Sequence, residues 1–151
     1  MRAREIMATN VITIKSETTI EEIAHVLTDN NISGVPVVDE NNKVIGIVSE
    51  KDLLYKDIEP RFPAVVELLG GLIFVKGVKH YNEELRKLVA TKAEDVMTKG
   101  VITVDGNVEV KKVAEIMIEK DINRLPVVDN GKLIGIISRS DIIRYTAKRL
   151  E

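Results

Sequence analysis

Apolar and polar positions along the chain fall into one succession of patterns that occurs twice. Val11-Ile12-Thr13-Ile14 is a short β-branched run and reads as a strand. Thr19 to Glu22 then has capping-box form, and Ile20, Ile23, Ala24 and Leu27 follow at helical spacing, so one face of a helix turns inward. Val35-Pro36-Val37-Val38 predicts a strand whose proline suits an edge or first position. A polar turn leads into the apolar run Val44 to Val48, the second arm of a hairpin. Its continuity is expected where both sheet faces are covered. The segment at Ser49 opens a closing helix.

From Lys92 onward the order repeats. Val101-Ile102-Thr103-Val104 answers the first strand, and Val110, Val113, Ala114 and Met117 answer the helix face behind a poorer cap. Leu125-Pro126-Val127-Val128 and Leu133 to Ile137 answer the hairpin, and Ser138 opens the last helix. Ala3-Arg4-Glu5-Ile6-Met7 and Ala93-Glu94-Asp95-Val96-Met97 are the helical turns leading in. Setting Arg2 against Lys92 aligns the halves through Leu54 and Ile143, with one single-residue gap after Asp39 and Asp129. The chain is an internal duplication.

The repeats are placed at residues 1–56 and 92–151, with an insert at 57–91. The predicted fold class is α/β (α+β): two pseudo-twofold β-α-β-β-α motifs packed sheet to sheet, with a helical insert between them. In the insert, Glu59 to Pro63 reads as a stiff loop and Ala64 to Lys79 as apolar and glycine-broken. Asn82 to Ala90 reads as a capped helix with Leu85, Leu88 and Val89 inward. As a linker it covers exposed core; as a lid or docking surface it offers more bare apolar residues than a linker needs.

Composition narrows the function classes. A formal net charge of -2 does not favour nucleic acid or anionic membrane as a partner. No cysteine excludes disulfides and thiolate metal sites. The N-terminus lacks the features of a secretory signal, and the longest apolar run is too short to span a bilayer, so the expected location is the cytoplasm.

The candidate chemistry lies where each second hairpin arm hands over to a helix: Gly46-Ile47-Val48-Ser49-Glu50-Lys51-Asp52 and Gly135-Ile136-Ile137-Ser138-Arg139-Ser140-Asp141. Ser-x-x-Asp is a capping box, and in either copy alone that explains it. A glycine three residues before each serine lets backbone or ligand approach closely, which shifts the balance toward a site. An ionised Asp can accept from two vicinal ribose hydroxyls, and a helix N-terminus favours phosphate. Adenine would need an apolar slot with unpaired main-chain groups. Ile32-Ser33-Gly34-Val35-Pro36 and Ile122-Asn123-Arg124-Leu125-Pro126 are placed to provide one. With aromatics at 3%, aliphatic side chains must grip the base.

The paired Pro-Val-Val-Asp and Gly-x-x-Ser-x-x-Asp motifs, each preceded by Val-Ile-Thr, resemble a tandem CBS-domain pair, or Bateman module. The resemblance implies a regulatory module without catalytic activity that binds AMP, ADP, ATP or S-adenosylmethionine, associates as a homodimer and signals to an unknown regulated protein. Carried over by residue, it groups Ser49, Lys51 and Asp52 with Thr103, Ile122, Asn123, Arg124 and Pro126. It groups Ser138, Ser140 and Asp141 with Thr13, Ile32, Ser33, Val35 and Pro36. Arg124 answers Gly34 and Lys51 answers Ser140, so the Asp52 group is expected to prefer phosphorylated ligands and the Asp141 group a less charged adenosyl compound.

Two other classes stand beside this one: a structural dimerisation scaffold whose Ser and Asp only cap helices, and a nucleotide-processing enzyme. No nucleophile, base and orienting residue assemble from the sequence, and no Walker-type loop is present. His25 and His80 read as surface residues, Met7 and Met97 as core fillers, and Asp39 and Asp129 as turn residues. Lys148 and Arg149 complement a helix C-terminus. No catalytic residue and no metal ligand is assigned.

Overall fold

The computed structural model describes residues 1–54, 64–68, 71–76 and 89–150. After a 3-10 turn at Ala3–Glu5 the elements are α1 (Ile20–Asp29), β1 (Gly34–Val38), β2 (Val44–Ser49), α2 (Glu50–Leu54), β3 (Ala64–Leu68) and β4 (Gly71–Lys76). There follow α3 (Ala93–Val96), β5 (Val104–Asp105), α4 (Val110–Glu119), β6 (Arg124–Asp129), β7 (Lys132–Ser138) and α5 (Arg139–Leu150). This is a mixed α/β fold in which both repeats carry the predicted helix, hairpin and closing helix.

The repeats share local causes. Thr19 caps α1: its Oγ1 accepts from the Glu22 N–H at 3.3 Å while Glu22 Oε2 accepts from the Thr19 N–H at 2.8 Å. Glu109 gives α4 no side-chain cap, as its sequence implied. Both helices stop at a short polar residue with left-handed backbone, Asn31 at φ 51° and Asp121 at φ 48°. The chain then turns back, Ile32 N–H donating to Leu27 O and Ile122 N–H to Met117 O. Ile23, Leu27, Val113 and Met117 are buried.

β1 and β2 form a two-stranded sheet, and β5, β6 and β7 a three-stranded one with β5 parallel and β7 antiparallel to β6. Three expectations are corrected. First, neither Val11–Ile14 nor Val101–Val104 is a full strand: β5 pairs only through Val104 and Asp105, and residues 11–13 and 101–103 are irregular. Second, Pro126 lies in the central strand of its sheet. It is tolerated because the parallel ladder begins one residue later, at Val127, so no hydrogen bond to β5 is sacrificed. Third, β2 and β7 alternate buried with half-buried positions, as strands do when one face is packed and the other partly covered. The insert is not simply helical either, since β3 and β4 form an antiparallel hairpin with Leu68 opposite Gly71. Val89 is 76% exposed and its neighbour Ala90 is the buried residue. The expected loop at 59–63 and the helix through residue 88 lie outside the described residues.

By compactness the chain divides into two units that cut across the repeats. One comprises residues 1–13, 36–47 and 99–151. Its core is Ala3, Val104, Val113, Met117, Leu125, Val127 and Ile137, with Ile6, Met7 and Ile142 packed against it. The N-terminal segment is fastened there: Ala3 N–H donates to Val108 O, and Ala8 exchanges two backbone hydrogen bonds with Ile136. The other unit comprises residues 14–35 and 48–98, with Ile14, Ile23, Leu27, Val35, Val48, Ala90, Ala93 and Val96 buried. There α3 docks by Ala93 N–H on Thr18 O, and Ile20 N–H donates to Thr91 O. No helix among the described residues is long and apolar enough to cross a membrane.

Candidate functional site

Each β-strand that ends in serine delivers that residue to the first turn of a helix. At the end of β2, Asp52 Oδ2 accepts from the Ser49 N–H at 2.8 Å and from the Ser49 hydroxyl at 2.9 Å. Asp52 is only 6% exposed, the one buried charged residue among those described. At the end of β7, Asp141 Oδ2 accepts from the Ser138 N–H at 2.8 Å and the Ser138 hydroxyl at 2.5 Å, and the Asp141 N–H returns to Ser138 Oγ at 3.3 Å. The capping box is closed in both directions at Ser138 and Asp141, and its carboxylate half is made at Ser49 and Asp52. In each, one carboxylate oxygen is committed to the serine. At Asp141 the other oxygen, Oδ1, receives Arg144 Nη1 at 3.1 Å.

The two loops expected to hold a base sit beside these turns. In the first repeat the Glu50 N–H donates to Ser33 O at 3.1 Å; in the second, the Arg139 N–H donates to Asn123 O at 3.1 Å. These carbonyls are thus paired, against the expectation of unpaired groups, because the hairpin ladder extends one step past the strand ends. Arg139 adds a clamp, its Nε on Ile122 O at 3.2 Å and its Nη2 on Asp121 Oδ1 at 2.9 Å. Arg124 lies opposite Ser138 in the β6–β7 ladder, so the two share a face of the sheet. Ser140 is exposed and its hydroxyl lies 2.7 Å from that of Ser138.

Of the other expected residues, Thr13, Thr103, Ile32 and Ile122 are half-buried, and Lys51, Ser33 and Asn123 are exposed. Val35, Pro36 and Pro126 are wholly buried and shape the strands from within. The glycine argument also changes at Gly135. A Cβ there would overlap Met7 Sδ and lie 3.1 Å from Ala8 O, so it is the protein's own N-terminal segment that approaches closely. Asp39 is a turn residue as read, its Oδ1 accepting from the Asn41 and Lys43 N–H groups. His25 is exposed, and His80 lies outside the described residues. Among the described residues no group of three side chains could hold a metal.

Sequence reasoning missed three features. The Arg144 pairing was within reach, since opposite charges three apart on a helix are neighbours. The Arg139–Asp121 contact spans 18 positions, and no local pattern announces it. A groove of about 250 Å³ also went unseen, lined by Asp141, Arg144, Tyr145 and Lys148 of α5 and by Met1, Glu5 and Ile6.

Two hairpins, each handing a Ser-x-x-Asp turn to a helix beside the loop that precedes its own first strand, define a repeat-built module. The CBS-domain family model matches residues 3–59 and 93–148, and the chain belongs to that family. It is 32% identical over 151 residues to the uncharacterized protein MJ1426 of Methanocaldococcus jannaschii, covering 95% of this chain and 89% of that one. A crystal structure of CBSX2 in complex with AMP superposes with a TM-score of 0.83 at 26% identity, covering 99% of each chain. The CBS domain pair of protein MJ0100, solved with 5-methylthioadenosine and S-adenosyl-L-methionine, gives a TM-score of 0.72 at 26% identity, over 99% of this chain and 98% of that one.

Proposed function

We propose that the chain is a regulatory module that binds an adenosyl ligand (AMP, ADP, ATP or S-adenosylmethionine), has no catalytic activity and signals to a separate regulated protein. The observation that carries this reading is the burial of Asp52, whose carboxylate accepts from both the N–H and the hydroxyl of Ser49, with the same Ser-x-x-Asp arrangement at the half-buried Asp141. Fixing a carboxylate at 6% exposure is costly for a helix cap that an exposed residue would serve as well. Gripping a ribose diol gives that cost a purpose. The AMP and S-adenosylmethionine complexes of the structurally similar CBSX2 and MJ0100 support the ligand class.

In this reading Asp52 and Asp141 take ribose hydroxyls while Ser49 and Ser138 fix the carboxylates. The main chain at Ile32-Ser33 and Ile122-Asn123 meets the base, with Thr13, Thr103, Lys51, Ser140 and Arg124 completing the polar contacts. The repeats at 1–56 and 92–151 are the binding halves, and association as a homodimer carries the signal onward. A ligand changes the output by as much as its affinities for two arrangements of the module differ. Thermal melting with each of AMP, ATP and S-adenosylmethionine tests the reading: at least one raises the melting temperature, and ATP is recovered intact after prolonged incubation. No shift with any of them leaves the scaffold reading, and turnover of ATP gives the enzyme reading.

A further inference from the structure

The carboxylate oxygen of Asp141 that a ribose would need is already occupied. Arg144 Nη1 donates to Oδ1 at 3.1 Å, on a side chain 67% exposed and so cheap to move. Arg144 does not stand alone. Asp141, Arg144, Tyr145 and Lys148 fall at successive i, i+3, i+4 and i+7 positions, one face of α5, and that face walls the groove opposite Glu5 and Ile6. At about 250 Å³ the groove lies below the roughly 300–1,000 Å³ of sites that enclose a whole small molecule, so it suits one end of a ligand. Its acids are already engaged: Asp141 by Ser138 and Arg144, and Glu5 by the Arg2 N–H. Lys148 lines the groove beside them, and Arg144 becomes a second cation facing whatever enters once it leaves Asp141.

We infer that this groove is the subsite for the phosphate end of a nucleotide whose ribose Asp141 holds, with Arg144 leaving Asp141 to meet the phosphate beside Lys148. The inference rests on the reading of Asp141 as a ribose acceptor. It reverses the expectation, drawn from Lys51 and Arg124, that the Asp141 group favours a less charged ligand. The exchange makes selectivity physical. A neutral nucleoside displaces the guanidinium and leaves it without a partner; a nucleotide displaces it and returns a stronger, charge-assisted one. The aligned positions of the first repeat hold Tyr55 and Glu59 in place of Arg144 and Lys148, so the device belongs to the second repeat.

Calorimetric titration of AMP and of adenosine into the Asp52→Asn protein isolates the Asp141 site. The affinity ratio of AMP to adenosine is expected to fall about tenfold or more in Arg144→Gln/Lys148→Gln, the order of one charge-assisted contact. Arg144→Gln alone should bind adenosine more tightly, because Oδ1 is vacated. The salt dependence of AMP binding should weaken with each charge removed. If Asp52→Asn does not fold, the same ratio is read from the second binding step of otherwise unaltered protein. A ratio that stays constant, with binding still dependent on Asp141, overturns the subsite alone. Failure of the unaltered protein to bind either compound overturns the ribose reading and the subsite together.

Discussion

Asn42 and Leu133 exchange two hydrogen bonds across 91 positions of sequence: the Leu133 N–H donates to Asn42 O at 3.0 Å, and Asn42 Nδ2 donates to Leu133 O at 3.0 Å. The contact ties the hairpin turn of the first repeat to the start of β7 in the second. Asn42 also has left-handed backbone, φ 61°, so one residue closes the turn and makes the link.

Asn42→Gly and Asn42→Ala separate these roles. Glycine removes the side-chain bond and keeps the turn, at an expected cost of about 1 kcal/mol. Alanine adds the left-handed strain, for roughly 1–2 kcal/mol more. Urea denaturation should rank the unaltered protein above Asn42→Gly and that above Asn42→Ala. Equal midpoints would show that the link contributes nothing.

Gly135→Ala is expected to destabilise by about 1–3 kcal/mol, because the added methyl overlaps Met7 and presses on the Ala8 carbonyl. Adding Met7→Ala should recover part of the loss, although it opens space against the core. A double-mutant cycle reads the coupling. Additive effects would mean that Met7 does not fix the need for glycine.

Gly135 shows how much of this molecule the sequence discloses and where it stops. The duplication, the Thr19–Glu22 cap, the helix faces at Ile23 and Val113 and the hairpins were legible because each is a local pattern, and repetition doubles the signal. The reason for the glycine was not, since Met7 reaches it from 128 positions away by the numbering of the chain. The hairpin of β3 and β4 was not foreseen: the run from Ala64 to Lys79 was read only as apolar and glycine-broken, and no alternation of polar and apolar positions marked its strands. At the candidate site the residue types could be named, while the committed state of the Asp141 carboxylate could not. That state depends on Ser138 and Arg144 converging on opposite oxygens.

Arg139→Ala removes two side-chain hydrogen bonds to the 121–122 loop, yet its ion-pair partner Asp121 is 97% exposed. The expected loss of stability is below about 1 kcal/mol. Its effect should appear instead in amide exchange at Ile122 and Asn123, which speeds up when the clamp is gone. Unchanged exchange there would contradict a role in holding the loop.

Glu22 carries a pH dependence. Hydrogen bonds from the Thr19 N–H, then from the Thr19 hydroxyl, hold its carboxyl below the usual glutamate range. A depressed folded-state pKa contributes stability that is fully present above the unfolded value, about 4.3, and is lost as pH falls through the depressed value. Glu22→Gln, which removes the titrating group, should flatten stability between about pH 5 and pH 3 relative to the unaltered protein. Parallel pH profiles of the two would show the cap to be unimportant.

In the proposed function Asp52 and Asp141 grip the diol of an adenosyl ligand. Isothermal titration of a panel of adenosine derivatives into unaltered protein and into Asp52→Asn/Asp141→Asn tests it most directly. Saturable heat is expected from at least one derivative, and its loss in the double variant, which retains the fold because asparagine still accepts from both serines. Equal heats from the two proteins, or none from the unaltered one, would contradict it.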